Sequence, residues 1–188
     1  MSRENWFFAL PVDGAFVLEL PPLPPNFRRF QPEDVHVTLC FLGPCGEAAA
    51  HLALAELDAR SQEFVRPAIE VRLGTVVPMG ARRAYSALSA LLSEGREATE
   101  SLIASLRDPL AAAAGAPREQ RAPKAHVTVA RPSRRATPAE RRAGLAWAGA
   151  CELQSVTARL DRVCLYRWSE DRAARMFRIA AERPFRAP

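Results

Sequence analysis

Two of the three histidines in this 188-residue chain stand in the same tripeptide, His-Val-Thr, in the stretches HVTLCFLG from His36 and HVTVARP from His126. An imidazole titrates near neutrality, so one ring can accept a proton as a neutral base while another gives one up as a cationic acid. A threonine hydroxyl donates a hydrogen bond to charge that builds on oxygen. On a strand, side chains alternate between faces, so His36 shares a side with Thr38 and Cys40, and His126 with Thr128 and Ala130. Val37, Leu39 and Phe41 fall on the other side of the first copy, Val127 and Val129 on that of the second. Each ribbon thus lifts one imidazole and one hydroxyl out of an apolar run.

Either copy alone reads as a packed core histidine beside a strand threonine. The repeat changes that reading, because a chain this poor in both residue types has little chance of matching them twice. If the two strands face each other across a cleft, two imidazoles and two hydroxyls flank one point. The set has no carboxylate and no Ser-His-Asp or Cys-His nucleophile grouping. Proton transfers on opposite sides of one anionic centre suit in-line displacement at phosphorus. Metal binding is the competing use of paired histidines, but two alone fall short of the ligands zinc wants, so neither a metal nor a cofactor is expected.

The elements that must position these residues follow from the pattern. NWFFALP reads as an opening strand closed by Pro11, and residues 35–42 as a second. Between them LPPLPPNF carries Pro21, Pro22, Pro24 and Pro25 and cannot be helical through its middle. Residues 48–64 and 95–110 read as helices, with strands at 69–74, 84–88 and 125–130. Thr137 followed by Pro138 opens a short helix. Strand-like runs at 152–158, 161–168 and 176–182 close the chain. Several strands follow one another without a crossover helix, so the pattern predicts an α+β fold with antiparallel pairing.

Hydrophobic residues make up 48% and charged residues 25%, ordinary values for a globular chain. The formal net charge is +5, carried almost wholly by arginine, since Lys124 is the only lysine. A GC-rich coding bias accounts for much of the arginine, and the positive sign adds modest support for an anionic ligand. Cys40, Cys45, Cys151 and Cys164 lack metal-like spacing and read as thiols of a reducing compartment. With no secretion signal and no apolar run of membrane-spanning length, a soluble cytoplasmic protein is expected. His51 reads as an ordinary helix-surface histidine. Phe41 and Tyr166 could stack on a base, with core packing the stronger reading for Phe41. The basic run 131–135 could follow a phosphate backbone, or simply be a solvated loop.

The paired motifs resemble the two HxTx signatures of the two-histidine (2H) phosphoesterase superfamily. Their surroundings resemble its bacterial branch, the RNA 2′,3′-cyclic phosphodiesterases also called 2′-5′ RNA ligases. WFFALP, HVTLCFLG, HVTVAR and LDRVCLYRW carry the similarity over nearly the whole chain. The resemblance implies a single bilobal domain over 1–188, with two pseudo-symmetric lobes of mostly antiparallel sheet, outer helices and a central cleft. It implies metal-independent hydrolysis of a 2′,3′-cyclic phosphate on RNA or a nucleotide to a 2′-phosphate by a monomer that needs no membrane, with 2′-5′ RNA ligation as an accompanying capacity. His36 would protonate the leaving 3′ oxygen and His126 would activate water. Thr38 and Thr128 would bind the non-bridging oxygens, and Arg131 would be a further phosphate contact. Strict alternation turns Arg131 to the Val127 face unless a twist before Pro132 brings it back. Family members usually carry a long amphipathic helix after the first strand, and here LPPLPPNF interrupts that stretch. The alternative is a non-catalytic RNA- or nucleotide-binding module that keeps the cleft.

Overall fold

The computed structural model describes residues 4–81, 84–171 and 175–186. In chain order the elements are β1 (Trp6–Pro11), β2 (Phe27–Arg29), β3 (His36–Gly43), α1 (Glu47–Ala59), β4 (Ile69–Ala81), β5 (Ala84–Glu94), α2 (Arg96–Ala113), β6 (His126–Pro132), α3 (Pro138–Gly149), β7 (Thr157–Leu160), β8 (Arg162–Trp168) and β9 (Phe177–Pro184). The expected α+β class and the two-lobed antiparallel arrangement both hold. The strands form one sheet in the order β7-β4-β5-β6-β3-β1-β8-β9, with β2 added against β6. Every pairing between these strands is antiparallel. From the β6/β3 centre, four strands extend to each side. One half is β3, β1, β8 and β9, the other β6, β5, β4 and β7.

The elements follow from local chemistry. Thr137 accepts a hydrogen bond from the Glu140 amide at 3.2 Å while the Glu140 carboxylate accepts one from the Thr137 amide at 2.7 Å, a capping box that starts α3. Gly95 sits at φ 71° between β5 and α2, pressed against Glu70 and Val71 where no Cβ fits. The proline segment forms no α-helix: residues 15–19 make a single 3₁₀ turn before the chain extends into β2. Arg29 fastens that stretch by donating to the carbonyls of Val17, Leu20 and Pro21. Trp147 of α3 donates to the Pro21 carbonyl from the other side. Strand pairing begins at Thr157, later than the run from 152 suggests, because residues 154 and 155 form a turn.

Helices cover the outer faces. On the first half Trp6, Phe8 and Leu10 of β1 are buried, and Cys40 of β3 donates its thiol hydrogen to the Arg107 carbonyl of α2. On the second half Tyr85 of β5 donates to the Arg141 carbonyl of α3 at 2.7 Å. The opposite face of the sheet carries the two motifs. No helix among the described residues is long and apolar enough to cross a membrane.

Candidate active site

The halves meet where Val37 of β3 pairs with Val127 of β6. Both valines are fully buried, toward the helices. In an antiparallel pair that register sets His36 beside Thr128 and Thr38 beside His126, all four on the face opposite the valines. The two copies of His-Val-Thr are thus related by a local two-fold axis through the valine pair, and the four polar side chains gather on one patch.

Each imidazole is held in the same way. His36 Nδ1 lies 2.7 Å from the carbonyl oxygen of Asp34, and His126 Nδ1 lies 2.6 Å from that of Lys124. A carbonyl only accepts, so each Nδ1 carries the proton and donates it. That leaves Nε2 of each ring as the atom that titrates.

Two carboxylates, neither singled out in the sequence, brace the segments that carry those carbonyls. Asp34 is fully buried and accepts hydrogen bonds at 3.1 Å from the amides of Met176 and Phe177, tying the His36 turn to β9. Gly14 presses on Pro32 in the same turn, with no room for a side chain between them. Glu100 of α2 accepts a hydrogen bond from the Ala125 amide at 3.0 Å, one residue before His126.

The two rings differ in surroundings. His36 is 8% exposed and packs among Phe7, Phe177, Tyr166 and Phe30, with ring centroids 5.0, 5.3, 5.6 and 6.5 Å away. Burial pushes its pKa down to about 4, and the charges of Arg131 and His126 press the same way against the bond to Asp34. His126 is half-buried. Burial lowers its pKa too, with the charges of Lys124 and Arg131 adding to the effect. Both rings are therefore neutral at neutral pH in the free protein, and an anion placed between them raises both values.

Two bulges place the next residues. Between Phe8↔Cys40 and Ala9↔Thr38, β3 carries one extra residue, Leu39, and between Leu88↔Ala130 and Ser89↔Thr128, β6 carries one extra residue, Val129. Each lies three residues after its histidine, and each reverses the alternation beyond it. Arg131 is accordingly returned to the histidine face, exposed, with its guanidinium 5.4 Å from the Phe30 ring centroid. Phe41 undergoes the same reversal. Alternation alone puts it with Val37 in the core, whereas it pairs opposite Phe7 on the histidine face and is 56% exposed. Tyr166 is buried, stacked on Phe7 at 5.1 Å, and presents no free face.

Ser89 of β5 carries no sequence signal that marks it as a site residue. It is fully buried, with its hydroxyl 3.1 Å from that of Thr128. The corresponding neighbour of Thr38 is Ala9, so the symmetry of the patch breaks here. His51 is exposed on α1, its ring 6.4 Å from that of Trp6. Among the described residues no three His, Cys, Asp or Glu side chains gather closely enough to hold a metal ion.

A curled antiparallel sheet whose halves each bring a His-x-Thr strand to one shared patch is the architecture of the 2H phosphoesterases. The family model described as "2'-5' RNA ligase superfamily" matches residues 23–172, and the chain belongs to that superfamily. Solved structures share the fold at low identity. E. coli LigT complexed with 3'-AMP is 17% identical with a TM-score of 0.65, covering 97% of this chain and 98% of that one. TT0787 of Thermus thermophilus is 17% identical with a TM-score of 0.67, covering 97% and 98%. Usb1 of Kluyveromyces marxianus is 12% identical with a TM-score of 0.52, covering 86% and 92%. Comparison with curated protein sequences gives no match.

Proposed function

We propose that this protein is a phosphodiesterase that opens 2′,3′-cyclic phosphate ends of RNA or nucleotides to 2′-phosphates, by two-histidine acid-base catalysis without a metal ion. The observation that carries the reading is the matched pair of imidazoles. Both are pinned through Nδ1 to a backbone carbonyl two residues upstream, which leaves Nε2 of each ring to exchange the proton in the proposed reaction beside Thr38 and Thr128. Related folds point to the same ligand class, since LigT has been crystallised with 3'-AMP, ATP, NADP+ and phosphate.

In the proposed reaction His126, the more accessible ring, takes a proton from water as the water attacks phosphorus. His36 delivers a proton to the departing 3′ oxygen on the opposite side. The negative substrate raises the pKa of both rings on binding and so supplies the protonated partner. Thr38 and Thr128 donate to the non-bridging oxygens, and Arg131 offers its planar fork to the same phosphate. The exposed ring of Phe41 is a platform for a nucleobase. All four cysteines are free thiols, which fits work in a reducing, cytoplasmic setting.

The test is turnover of a 2′,3′-cyclic nucleotide with a chelator present. The wild type should hydrolyse it to the 2′-phosphate, and His36→Ala and His126→Ala should each lower turnover by at least about 100-fold. Wild-type rates in either variant would favour a binding module that retains the cleft.

A further inference from the structure

The local two-fold axis through Val37 and Val127 carries Asp34 onto Lys124, since each stands two residues before its histidine and each lends the carbonyl that accepts the Nδ1 proton. The side chains at these matched positions carry opposite charge and sit in opposite surroundings. Asp34 is fully buried, its carboxylate taken up by the amides of Met176 and Phe177. Lys124 is exposed, the only lysine of the chain, and its ammonium forms no ion pair with a described residue. The backbone at its root is fixed by the bond to His126 and by Glu100 of α2, which accepts the amide hydrogen of the buried Ala125. A cation is thus stationed beside His126, and the matched position before His36 holds none.

The groups round His126 do not act alike. Next to it in sequence, Lys124 and Arg131 both disfavour the imidazolium. His36 comes from β3, Glu100 from α2, and Arg28 of β2 lies opposite Arg131, while β5 sets only the uncharged Ser89 and Leu91 opposite Thr128 and His126. Arg131 presses on both rings, so it weakens the hold of the pair on a proton without choosing between them. Lys124 presses on His126 alone. The difference matters because burial, heavier at His36, drives a proton shared by the pair toward His126, where it blocks the uptake of a proton from water. A cation that acts on His126 only drives it back.

We propose that Lys124 is a positioning residue for the shared proton: its ammonium, acting on His126 and sparing His36, keeps His126 the acceptor and leaves the proton on His36, the donor. This rests on the proposed function and gives the near-symmetric motifs a direction of transfer.

The experiment follows the histidine ring signals by NMR through a pH titration of the full-length protein without substrate, in the wild type, Lys124→Gln and Lys124→Arg. In Lys124→Gln the His126 midpoint should rise by about half a pH unit, the scale of one cation several ångströms away in partly aqueous surroundings. The His36 midpoint should move far less, and Lys124→Arg should match the wild type. In hydrolysis of a 2′,3′-cyclic nucleotide with chelator present, the plateau of kcat against pH should fall about threefold in Lys124→Gln while its alkaline limb moves up by the same factor in proton concentration, so that the two profiles meet at high pH. A lysine that only binds the phosphate lowers the rate at every pH and moves no limb. That outcome, or a His126 midpoint that stays put or shifts together with that of His36, overturns the proposal while turnover leaves the hydrolase reading standing. A wild type that hydrolyses no cyclic nucleotide defeats the hydrolase reading, and the ring midpoints then still decide whether Lys124 controls where the proton sits.

Discussion

The hydroxyl of Ser89, fully buried, lies 3.1 Å from that of Thr128 across β5 and β6, whereas the corresponding neighbour of Thr38 on β1 is Ala9. Thr128 thus has a hydroxyl neighbour on its outer strand to orient it, and Thr38 has none there. Ser89→Ala should lower kcat about fivefold through loss of that orientation, a hydrogen bond of about 1 kcal/mol, while KM changes little. Steady-state kinetics check this, and an unchanged kcat would remove Ser89 from the site.

The proposed reaction needs one neutral and one protonated imidazole, and in the free protein both titrate below the usual value near 6.5, His36 at about 4. At neutral pH the protonated partner is scarce, so kcat/KM should rise as pH falls and peak on the acid side of 6.5. The charge of Arg131 depresses both rings. Arg131→Gln should therefore move the optimum to higher pH while raising KM. A kcat/KM profile for both proteins measures the shift, and an optimum that stays put or moves down contradicts the electrostatic account.

Asp34 joins the turn before His36 to the start of β9 through amide bonds from Met176 and Phe177. Asp34→Asn turns an NH2 group toward those amides and should cost about 2 kcal/mol of stability, with kcat falling as the His36 ring loses its fixed carbonyl. Denaturant unfolding reads the first effect. Asp34→Asn unfolding at the wild-type midpoint would show that the bond is not structural.

Phe41 is exposed on the histidine face, so its loss should leave stability nearly unchanged. Phe41→Ala should raise KM for cyclic nucleotides by about 5- to 100-fold, the range of one base stacked on an aromatic ring, and leave ribose 2′,3′-cyclic phosphate unaffected. An equal change on the baseless substrate would assign Phe41 to shaping the patch.

Much of this was legible in the chain. The repeated tripeptide singled out His36, Thr38, His126 and Thr128, because period-two alternation needs only local geometry. Proline and glycine punctuation marked the ends of β1, β3 and β6. What escaped were features that depend on partners. Phe41 and the face of Arg131 were hidden by the bulges at Leu39 and Val129, which arise from register against β1 and β5 and leave no trace in a single strand. Asp34, Glu100 and Ser89 act on neighbours distant in sequence, so no motif carries them.

The first half of the sheet is not assembled from contiguous chain: β3 and β1 come early, β8 and β9 last. During synthesis the fully buried carboxylate of Asp34 has to wait for amides 142 and 143 residues downstream. The second half, drawn from residues 69 to 160, can be complete while the first still lacks two strands. Such long-range closure slows folding. The pocket around His36 is therefore finished only once β9 has been made, and the strands that precede it cannot engage a substrate there before then.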